Sequence, residues 1–509
     1  MRPERQMSKA DGDLGVGDRF AEGPAPELIH SAFALEADYG PLLYHGMSLA
    51  DLAHTVMLIE AAVVSADVGA QLLKVLLELH AIPAAAFPFD PAQGDAYTNR
   101  EYMLRQRAPD AAGWLQAGRA RREASTVGYT LVVRAGLLDI AAALLALMRA
   151  LLNRAADNLH TLMPDYTYLQ AAQPTTLAHY LLTFVQPITR DLTRLQTAFD
   201  HADRSPAGIG STNGSRLPIN RERLAELLGF QGLVVHTRDA MWQPDSPVEI
   251  MAALTALLVN VDRLAEDLQI WATSEFNYVE LADRHSRISV IMPQKKNPYS
   301  LSYVRGVARD TIGKLVSAAV LQATPSGQID NRIFAYGGTP QALGQAERAL
   351  LLMAGVIDGL TVNVEIMRKR ANQDHIGATD LADAIMASCG QSARTAHRIV
   401  GRAVRLAVAQ GCPINAALLD EAAHGLIDHP LGLSDSFIAD SMNPQRIVDS
   451  RTATGGAAAQ TVRAMIEQFA AVAATYQGWL TTHQQRHARA ERALIATAEA
   501  LHTKIENLS

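Results

Sequence analysis

The strongest structural signal in the chain is the segment LLDIAAALLALMRALL, residues 137–152, where apolar side chains recur at alternating spacings of three and four. Two such stripes run side by side, which is typical of a helix. They comprise Leu138, Ala141, Leu145, Met148 and Leu152 in one stripe, and Leu137, Ile140, Leu144, Leu147 and Leu151 in the other. The resulting apolar face is wider than one neighbouring helix covers, so we predict a helix in the middle of a bundle or between subunits.

Similar helical periodicity occupies roughly 249–275, 300–322 and 340–362, whereas segments with period-2 alternation are few and short. We therefore predict an all-α fold of three helical regions around a long central bundle. Segments rich in Pro and Gly separate these regions. The predicted divisions are a disordered N-terminal arm at 1–27, an N-terminal helical domain at 28–117, a central long-helix domain with the catalytic loop at 118–370, and a C-terminal helical domain at 371–509.

Composition excludes several classes of protein. The chain has 509 residues, of which 49% are hydrophobic, so it is too apolar to be disordered and long enough for a large core. A net charge of −7 provides no basic field for nucleic acid or anionic lipid. Two cysteines, Cys389 and Cys412, are too few for a disulfide scaffold or a Cys-rich metal site. With no secretory signal and no apolar run long enough for a bilayer, a soluble cytoplasmic protein is expected.

One polar segment stands between two strongly apolar helices: SRISVIMPQKKNP, residues 286–298. It presents the hydroxyl of Ser289, the cations of Lys295 and Lys296, and the amide of Asn297. Such groups suit an anionic ligand that carries carboxylates. On composition alone, a solvated interhelical loop with incidental charges is the competing interpretation.

The motif MPQKKNP at 292–298 resembles the signature of the fumarase/aspartase superfamily, and its Gln-Lys-Lys version is similar to argininosuccinate lyase. Further segments match the family in order along about residues 30–480. They are GRARRE at 118–123, MPDYTYLQAAQPT at 163–175, SPAGIG at 205–210, residues 218–230, WATSEFNYVELAD at 271–283, ATDLAD at 378–383, and Arg451 with the Gly pair at 455–456.

The resemblance implies an all-α protomer whose central helices form a homotetrameric core, with each active site assembled from three chains. It implies a cofactor-free elimination from a small dicarboxylate substrate of the succinyl type. A base removes the proton next to a carboxylate, a dianion develops, and the amine on the neighbouring carbon leaves to give fumarate. Cations and amides that stabilise the developing charge must provide most of the barrier reduction.

The resemblance assigns roles residue by residue. Ser289 stands at the position of the family's catalytic serine, and Lys295 is the nearest cation that could stabilise its alkoxide. The matching substrate-binding positions are Arg121, Thr167, Gln170 and Asn297. For Thr167 and Gln170, hydrogen bonding at a helix entry is the alternative interpretation.

Several family positions carry different residues here. Tyr168 replaces the acid/base histidine, and Ser302 replaces the glutamate that is paired with it. A phenol has a reference pKa near 10, so Tyr168 suits proton donation to a basic leaving group better than proton removal. Tyr97 replaces a second family histidine, Arg122 adds a cation where the family has an asparagine, and Arg332 lies in a substrate-binding segment that is altered at 327–332. We expect all three side chains to take part in substrate binding.

The loop itself is more apolar than in the family, because Ile288 and Val290 replace small residues beside Ser289. We consider three hypotheses. The protein is an argininosuccinate lyase, or a relative that eliminates a different group from another N-substituted aspartate, or a catalytically silent binding protein on the same scaffold. No metal site is predicted, because His483 and His487 are spaced as helical ligands but lack a third.

Overall fold

The computed structural model describes residues 19–325, 332–373 and 375–506. Residues 1–18 of the predicted N-terminal arm lie outside the described part of the chain. The first helical region opens with one continuous helix that contains a π-helical turn. Its elements are α1 (Pro26–Leu28), the π-turn (Ile29–Phe33), α2 (Ala34–Glu60), α3 (Ala66–His80), two 3-10 turns (Ala84–Ala86 and Pro91–Gln93), α4 (Ala96–Arg107) and α5 (Pro109–Ala112).

The central region consists mainly of five long helices, and short segments connect them. The long helices are α6 (Arg121–Asp157), α7 (Leu177–Ala202), α10 (Asp245–Trp271), α11 (Tyr299–Leu321) and α12 (Arg332–Gly359). The short helices are α8 (Arg221–Leu227), α9 (Thr237–Met241) and a 3-10 turn (Asp283–His285). Helix α12 begins at Arg332, before the predicted start near 340, and Pro340 lies inside the helix.

Eight short strands form four two-stranded sheets in the described residues. They are β1 (Leu162–Thr167), β2 (Gln170–Thr176), β3 (Arg204–Ser205), β4 (Gly232–Leu233), β5 (Val279–Glu280), β6 (Arg287–Ile288), β7 (Lys296–Asn297) and β8 (Thr361–Val362). The pairs β1–β2, β5–β8 and β6–β7 are antiparallel, and β3–β4 is parallel. These strands belong to connections between helices, so the prediction of an all-α fold is confirmed.

The last region contains six short or medium helices and one very long one. They are α13 (Val364–Ala371), α14 (Ala378–Cys389), α15 (Ala393–Gln410), α16 (Ala416–Ala423), α17 (Asp435–Ser441), α18 (Pro444–Ser450) and α19 (Ala459–Glu506). Residues 381–438 form a small core of their own. Helix α19 instead packs against α2, α3, α6 and α7, so the predicted unit 371–509 is divided between separate cores.

Helix α6 is the axis of the fold. Helices α2, α7, α12 and α19 pack around it, and all ten residues of its two apolar stripes are buried within the single chain. By length and composition, α6 and the continuous helix Pro26–Glu60 are each long and apolar enough to cross a bilayer. An expectation based only on uninterrupted apolar runs does not identify this property of the two helices. Their apolar windows are 67% and 83% buried inside the protein, as in the core helices of a globular fold.

Two buried carboxylates connect the helical regions. Asp51 on α2 accepts hydrogen bonds from Arg100 at 3.1 Å and Arg119 at 2.7 Å. Asp203, after α7, pairs with Arg134 on α6 at 3.2 Å and with Arg486 on α19. Burial alone would raise the pKa of Asp203, but the nearby His487 imidazole and the two arginine charges hold that pKa below its ordinary value.

Helices α2 and α6 cross at two glycines that bring their backbones into contact. A Cβ atom on Gly46 would lie 2.5 Å from the carbonyl oxygen of Gly128 and 2.8 Å from its Cα. Backbone atoms cannot rotate away as a side chain can, so the crossing requires a residue without a side chain at position 46.

We expect Gly46→Ala to destabilise the protein by about 1–3 kcal/mol, because the added methyl group forces the two helices apart. The control is Gly401→Ala on α15, where a Cβ would meet no atom within 4 Å. That change should stabilise the helix by about 0.5–1 kcal/mol. Thermal unfolding midpoints of the two variants and the parent chain measure the difference, and equal midpoints for both variants would contradict the crossing.

Candidate active site

The segment that carries Ser289 and Lys295 is a β-hairpin between α10 and α11. Its strands β6 and β7 pair Arg287 with Asn297 and Ile288 with Lys296. In an antiparallel ladder the next position after Ile288 and Lys296 is Ser289 on one side and Lys295 on the other. The register therefore places the predicted base and the predicted cation on opposite sides of the hairpin, where its loop begins.

The loop from 289 to 295 is closed by its own backbone. Ser289 Oγ accepts a hydrogen bond from the Met292 amide at 3.1 Å, and the Lys295 amide donates to the Met292 carbonyl at 3.0 Å. Ser289 is half-buried and Lys295 is exposed, while Val290 and Ile291 at the tip are almost fully exposed. The loop thus presents a hydroxyl and a cation beside an apolar tip that no part of the described chain covers.

The two adjacent lysines have different surroundings. The Lys296 ammonium lies 2.8 Å from Glu280 and 2.7 Å from Asp283, and its hydrogen bonds to Asp283 and Glu280 raise the pKa of Lys296. Within the described residues no ion pair holds the Lys295 ammonium. Lys295 is therefore the lysine that can face a ligand, whereas Lys296 anchors the base of the hairpin.

Asn297 has a structural contact that the sequence did not reveal. Its side-chain amide donates to the Arg287 carbonyl at 3.0 Å and so helps to close the hairpin. The predicted substrate contact of Asn297 would have to use its remaining amide hydrogen-bonding capacity.

Tyr168 lies at the tip of the second hairpin, formed by β1 and β2. Thr167 pairs with Gln170, and Tyr168 with Leu169 form the two-residue turn between them. Both turn residues have left-handed backbones, with φ of 54° and 57°, although neither is glycine. Such backbone strain at a tip where Tyr168 is 99% exposed points to a functional constraint. Since Thr167 and Gln170 are paired strand residues, neither lies at the entry of a helix.

Aromatic packing fixes the base of this second hairpin. The Tyr166 ring lies 5.7 Å from the Phe276 ring and 6.3 Å from the Tyr278 ring, and the hydroxyl groups of Tyr166 and Tyr278 are hydrogen bonded. Residues 276–278 belong to the segment that leads from α10 to the first hairpin. The strained tip therefore projects from a firmly packed base.

Arg121 and Arg122 open helix α6 and share a carboxylate. Arg121 donates to Thr98 at 2.9 Å and lies 3.5 Å from Asp95, but its side chain is 41% exposed. Arg122 makes a two-bond ion pair with Glu36 and lies 3.8 Å from Asp95. Burial would raise the pKa of Asp95, but the charges of Arg121 and Arg122 hold it below its ordinary value. Arg121 remains accessible to a ligand, whereas the expected extra cation of Arg122 is neutralised by Glu36.

Two predicted substrate contacts, Tyr97 and Arg332, face the interior instead of solvent. Each is 1% exposed. The Tyr97 hydroxyl accepts from Arg119 at 2.7 Å and joins the buried Asp51 cluster, and burial raises the pKa of Tyr97. Arg332 donates to Thr126 at 3.3 Å and to the Met241 carbonyl at 3.2 Å. Both side chains support the surroundings of α6 in the described chain, and their contact with a substrate stays a prediction.

The remaining candidates fall into three separate groups. Ser289 and Lys295 share one hairpin, Thr167, Tyr168 and Gln170 share another, and Arg121 stands at the start of α6. Helix α6 has 37 residues, which at about 1.5 Å per residue makes it roughly 55 Å long. Arg121 is the first residue of α6, and the Tyr168 hairpin follows the C-terminal end of the same helix. Arg121 and Tyr168 of one chain therefore lie near opposite ends of α6.

Sequence reasoning missed the carboxylates that organise these groups. Glu280 and Asp283 lie shortly before the first hairpin, and their spacing from Lys296 is a signal that could have been used. Glu36 lies 86 positions from Arg122, and nothing in the local pattern connects the two.

Two family models match the chain. A lyase model matches residues 49–313, and a model of the argininosuccinate lyase C-terminal region matches residues 375–449. Among curated relatives, argininosuccinate lyase from Methanococcoides burtonii is 33% identical over 454 residues, which cover 88% of this chain and 91% of the relative. Argininosuccinate lyase 1 from Mesorhizobium japonicum is 33% identical and covers 89% of this chain and 96% of the relative.

Solved structures show the same architecture. EDDS lyase in complex with formate superposes with a TM-score of 0.84 at 28% identity, covering 95% of this chain and 97% of the other. A fumarate lyase from Mesorhizobium sp. BNC1 superposes with a TM-score of 0.67 at 18% identity, covering 88% and 99%, which supports the fold alone. The chain is therefore a lyase that belongs to the argininosuccinate lyase family of the fumarase/aspartase superfamily.

Proposed function

We propose that the protein eliminates a guanidine or amine from an N-substituted aspartate, with argininosuccinate as the first substrate to test, and releases fumarate. The observation that carries this proposal is the β6–β7 hairpin, in which Ser289 and Lys295 directly follow and precede the last paired residues, one on each side of the loop. The identity of about 33% with argininosuccinate lyases over most of the chain supports the same substrate class.

The chemistry follows from these groups. Ser289, held as its alkoxide by Lys295, takes the proton from the carbon next to a substrate carboxylate, and the electron pair moves into that carboxylate. Lys295 and Arg121 stabilise the dianion that develops. When the carbon–nitrogen bond breaks, Tyr168 donates a proton to the leaving nitrogen and the new double bond completes fumarate.

We propose that the active form is a cytoplasmic homotetramer whose sites are shared between chains. Helix α11 supports this, because Ile312, Val316 and Val320 form an exposed apolar stripe at i, i+4 spacing. An apolar helix face of this kind is typical of a surface that another subunit covers. The length of α6 supports shared sites, because one chain cannot bring Arg121 next to its own Tyr168.

A second candidate is a lyase that acts on a different N-substituted aspartate. The specific observation is the pair Tyr168 and Ser302, which stand where the family has histidine and glutamate. Ser302 is exposed on α11 and offers no carboxylate to orient an acid/base partner. The similarity to EDDS lyase makes EDDS a reasonable second substrate to test.

We expect Ser289→Ala to lower kcat with argininosuccinate by about 10²–10⁴-fold, because the base is lost. Lys295→Met should lower kcat by about 10²–10³-fold, because one stabilising charge is lost. Fumarate formation is followed by its near-ultraviolet absorbance, with EDDS as a parallel substrate.

The controls for this experiment are Ser436→Ala and Lys369→Met, two exposed positions outside the proposed site. Both should retain the parent rate. Turnover that survives Ser289→Ala would refute the mechanism. A parent protein that neither binds nor turns over any N-substituted aspartate would favour a silent binding protein.

Hybrid tetramers test whether sites are shared between chains. Tyr168→Ala and Ser289→Ala chains, each nearly inactive alone, should regain activity when co-expressed. With random 1:1 mixing, a site that draws the two residues from different chains is intact in about a quarter of cases. A mixture no more active than its parents would show that one chain supplies both residues.

The substrate preference should depend on the replaced acid/base pair. We expect Tyr168→His with Ser302→Glu to raise kcat/KM for argininosuccinate relative to EDDS, since the imidazole exchanges protons near pH 7. Each single change alone should give less than the double variant. No gain in the double variant would contradict this explanation of the replaced pair.

A further inference from the structure

Three side chains with metal-ligand chemistry converge away from the hairpins. His45 lies on α2, His80 is the last residue of α3, and Glu491 lies on α19. His45 Nε2 lies 3.2 Å from Glu491 Oε1, and one ligand atom from each of the three residues lies within 4.8 Å of the others. The two imidazole rings are 5.3 Å apart. Three distant parts of the sequence therefore present two imidazoles and a carboxylate to a common point.

The distances are close to those of a tetrahedral metal site. Zinc binds imidazole nitrogen and carboxylate oxygen at about 2.0–2.2 Å, so ligand atoms in a tetrahedral site are roughly 3.3 Å apart. The separation of His45 and Glu491 already meets this value, whereas the ligand atom of His80, which lies within 4.8 Å of both, has to approach by up to about 1.5 Å. Two histidines and one glutamate form a ligand set that zinc proteins use when a fourth position stays open to water.

A neighbouring hydroxyl orients one of the imidazoles. His80 Nδ1 lies 3.1 Å from Ser48 Oγ, and this hydrogen bond leaves Nε2 as the nitrogen that a metal can bind. Histidine ligands commonly have such a partner on their other nitrogen, which fixes the ring and its tautomer. An ordinary surface ion pair between His45 and Glu491 would not require the third side chain or its orientation.

The cluster also has an access route. His45 and Glu491 line a cavity of about 410 Å³, whose wall includes the carboxylates of Asp139 and Glu347. With Glu491 they make three carboxylates against the single guanidinium of Arg134 in the cavity wall, a balance that favours a cation, and the volume leaves room for a water ligand at the fourth position.

We propose that His45, His80 and Glu491 bind one divalent transition metal per chain, with Zn²⁺ favoured, and that the metal ties α19 to α2 and α3. The three ligands are too far apart in sequence for spacing to reveal them. The pair that spacing did suggest is engaged elsewhere, because His487 lies 3.8 Å from Asp203 and the His483 ring packs on Phe199.

The test uses the full-length protein after treatment with a chelator and its removal. Co²⁺, which gives visible absorption bands in a tetrahedral site, is titrated into the parent chain, and Zn²⁺ is then added in competition. We expect saturation at one Co²⁺ per chain and stoichiometric displacement by Zn²⁺, whereas excess Mg²⁺ should not displace Co²⁺. The readout does not depend on turnover, so it is independent of the proposed lyase activity.

Two variants and a matched control identify the ligands. His80→Ala and Glu491→Gln should each weaken Co²⁺ binding by at least about tenfold. His201→Ala removes a comparable histidine–glutamate pair, in which His201 Nδ1 lies 3.0 Å from Glu249, and it should bind Co²⁺ as the parent does. Zn²⁺ should raise the melting midpoint of the parent and of His201→Ala, and raise it much less in the other two.

Some results would overturn the proposal. They are undiminished Co²⁺ binding in both His80→Ala and Glu491→Gln, equal loss in His201→Ala, or no saturable binding by the parent. Circular dichroism of the metal-free variants separates loss of ligands from loss of fold. If His80→Ala does not fold, His80→Gln provides the same comparison with a side chain of similar reach.

Discussion

The burial of the apolar face of α6 is the constraint on which the rest of the structure depends. A helix of 37 residues with two apolar stripes needs neighbours on more than one side, and α2, α7, α12 and α19 provide them. One side of α6 stays exposed, at Ala135, Asp139 and Arg149. The groups with chemistry are consequently excluded from the middle of the bundle. They lie at helix ends and in the connections between helices, where hairpins can present a hydroxyl, a cation and a phenol to solvent.

This arrangement separates the candidate site residues of one chain into distinct groups. The bundle that stabilises the protomer also places Arg121 and Tyr168 beyond opposite ends of α6, which is the reason for our proposal that association of chains brings them together. The exposed apolar tip at Val290 and Ile291 and the exposed stripe on α11 are costly for an isolated protomer in water. Both features are consistent with a protein in which assembly and catalysis depend on each other.

Much of the fold could be predicted, because apolar periodicity reports directly which helix faces are buried. Helices α6, α10, α11 and α12 and the all-α class followed from it, whereas the long helices α2, α7 and α19 were not delimited. The motif at 292–298 located the Ser289 loop. The hairpin of Tyr168 could not be predicted, since its turn uses two non-glycine residues with left-handed backbones. Nor could the inward orientation of Tyr97 and Arg332, because their partners Asp51, Arg119 and Met241 are distant in sequence.

The exposed and the buried ion pairs of the protein should respond differently to ionic strength. Lys296 holds the first hairpin through Glu280 and Asp283, and the Asp283 side chain is 96% exposed. Dissolved salt screens such a contact, since the Debye length falls from about 8 Å at 0.15 M to about 3 Å at 1 M. The carboxylates of Asp51 and Asp203 are shielded from dissolved ions. Concentrated salt should therefore loosen the loop that carries Ser289 while the helical bundle stays intact.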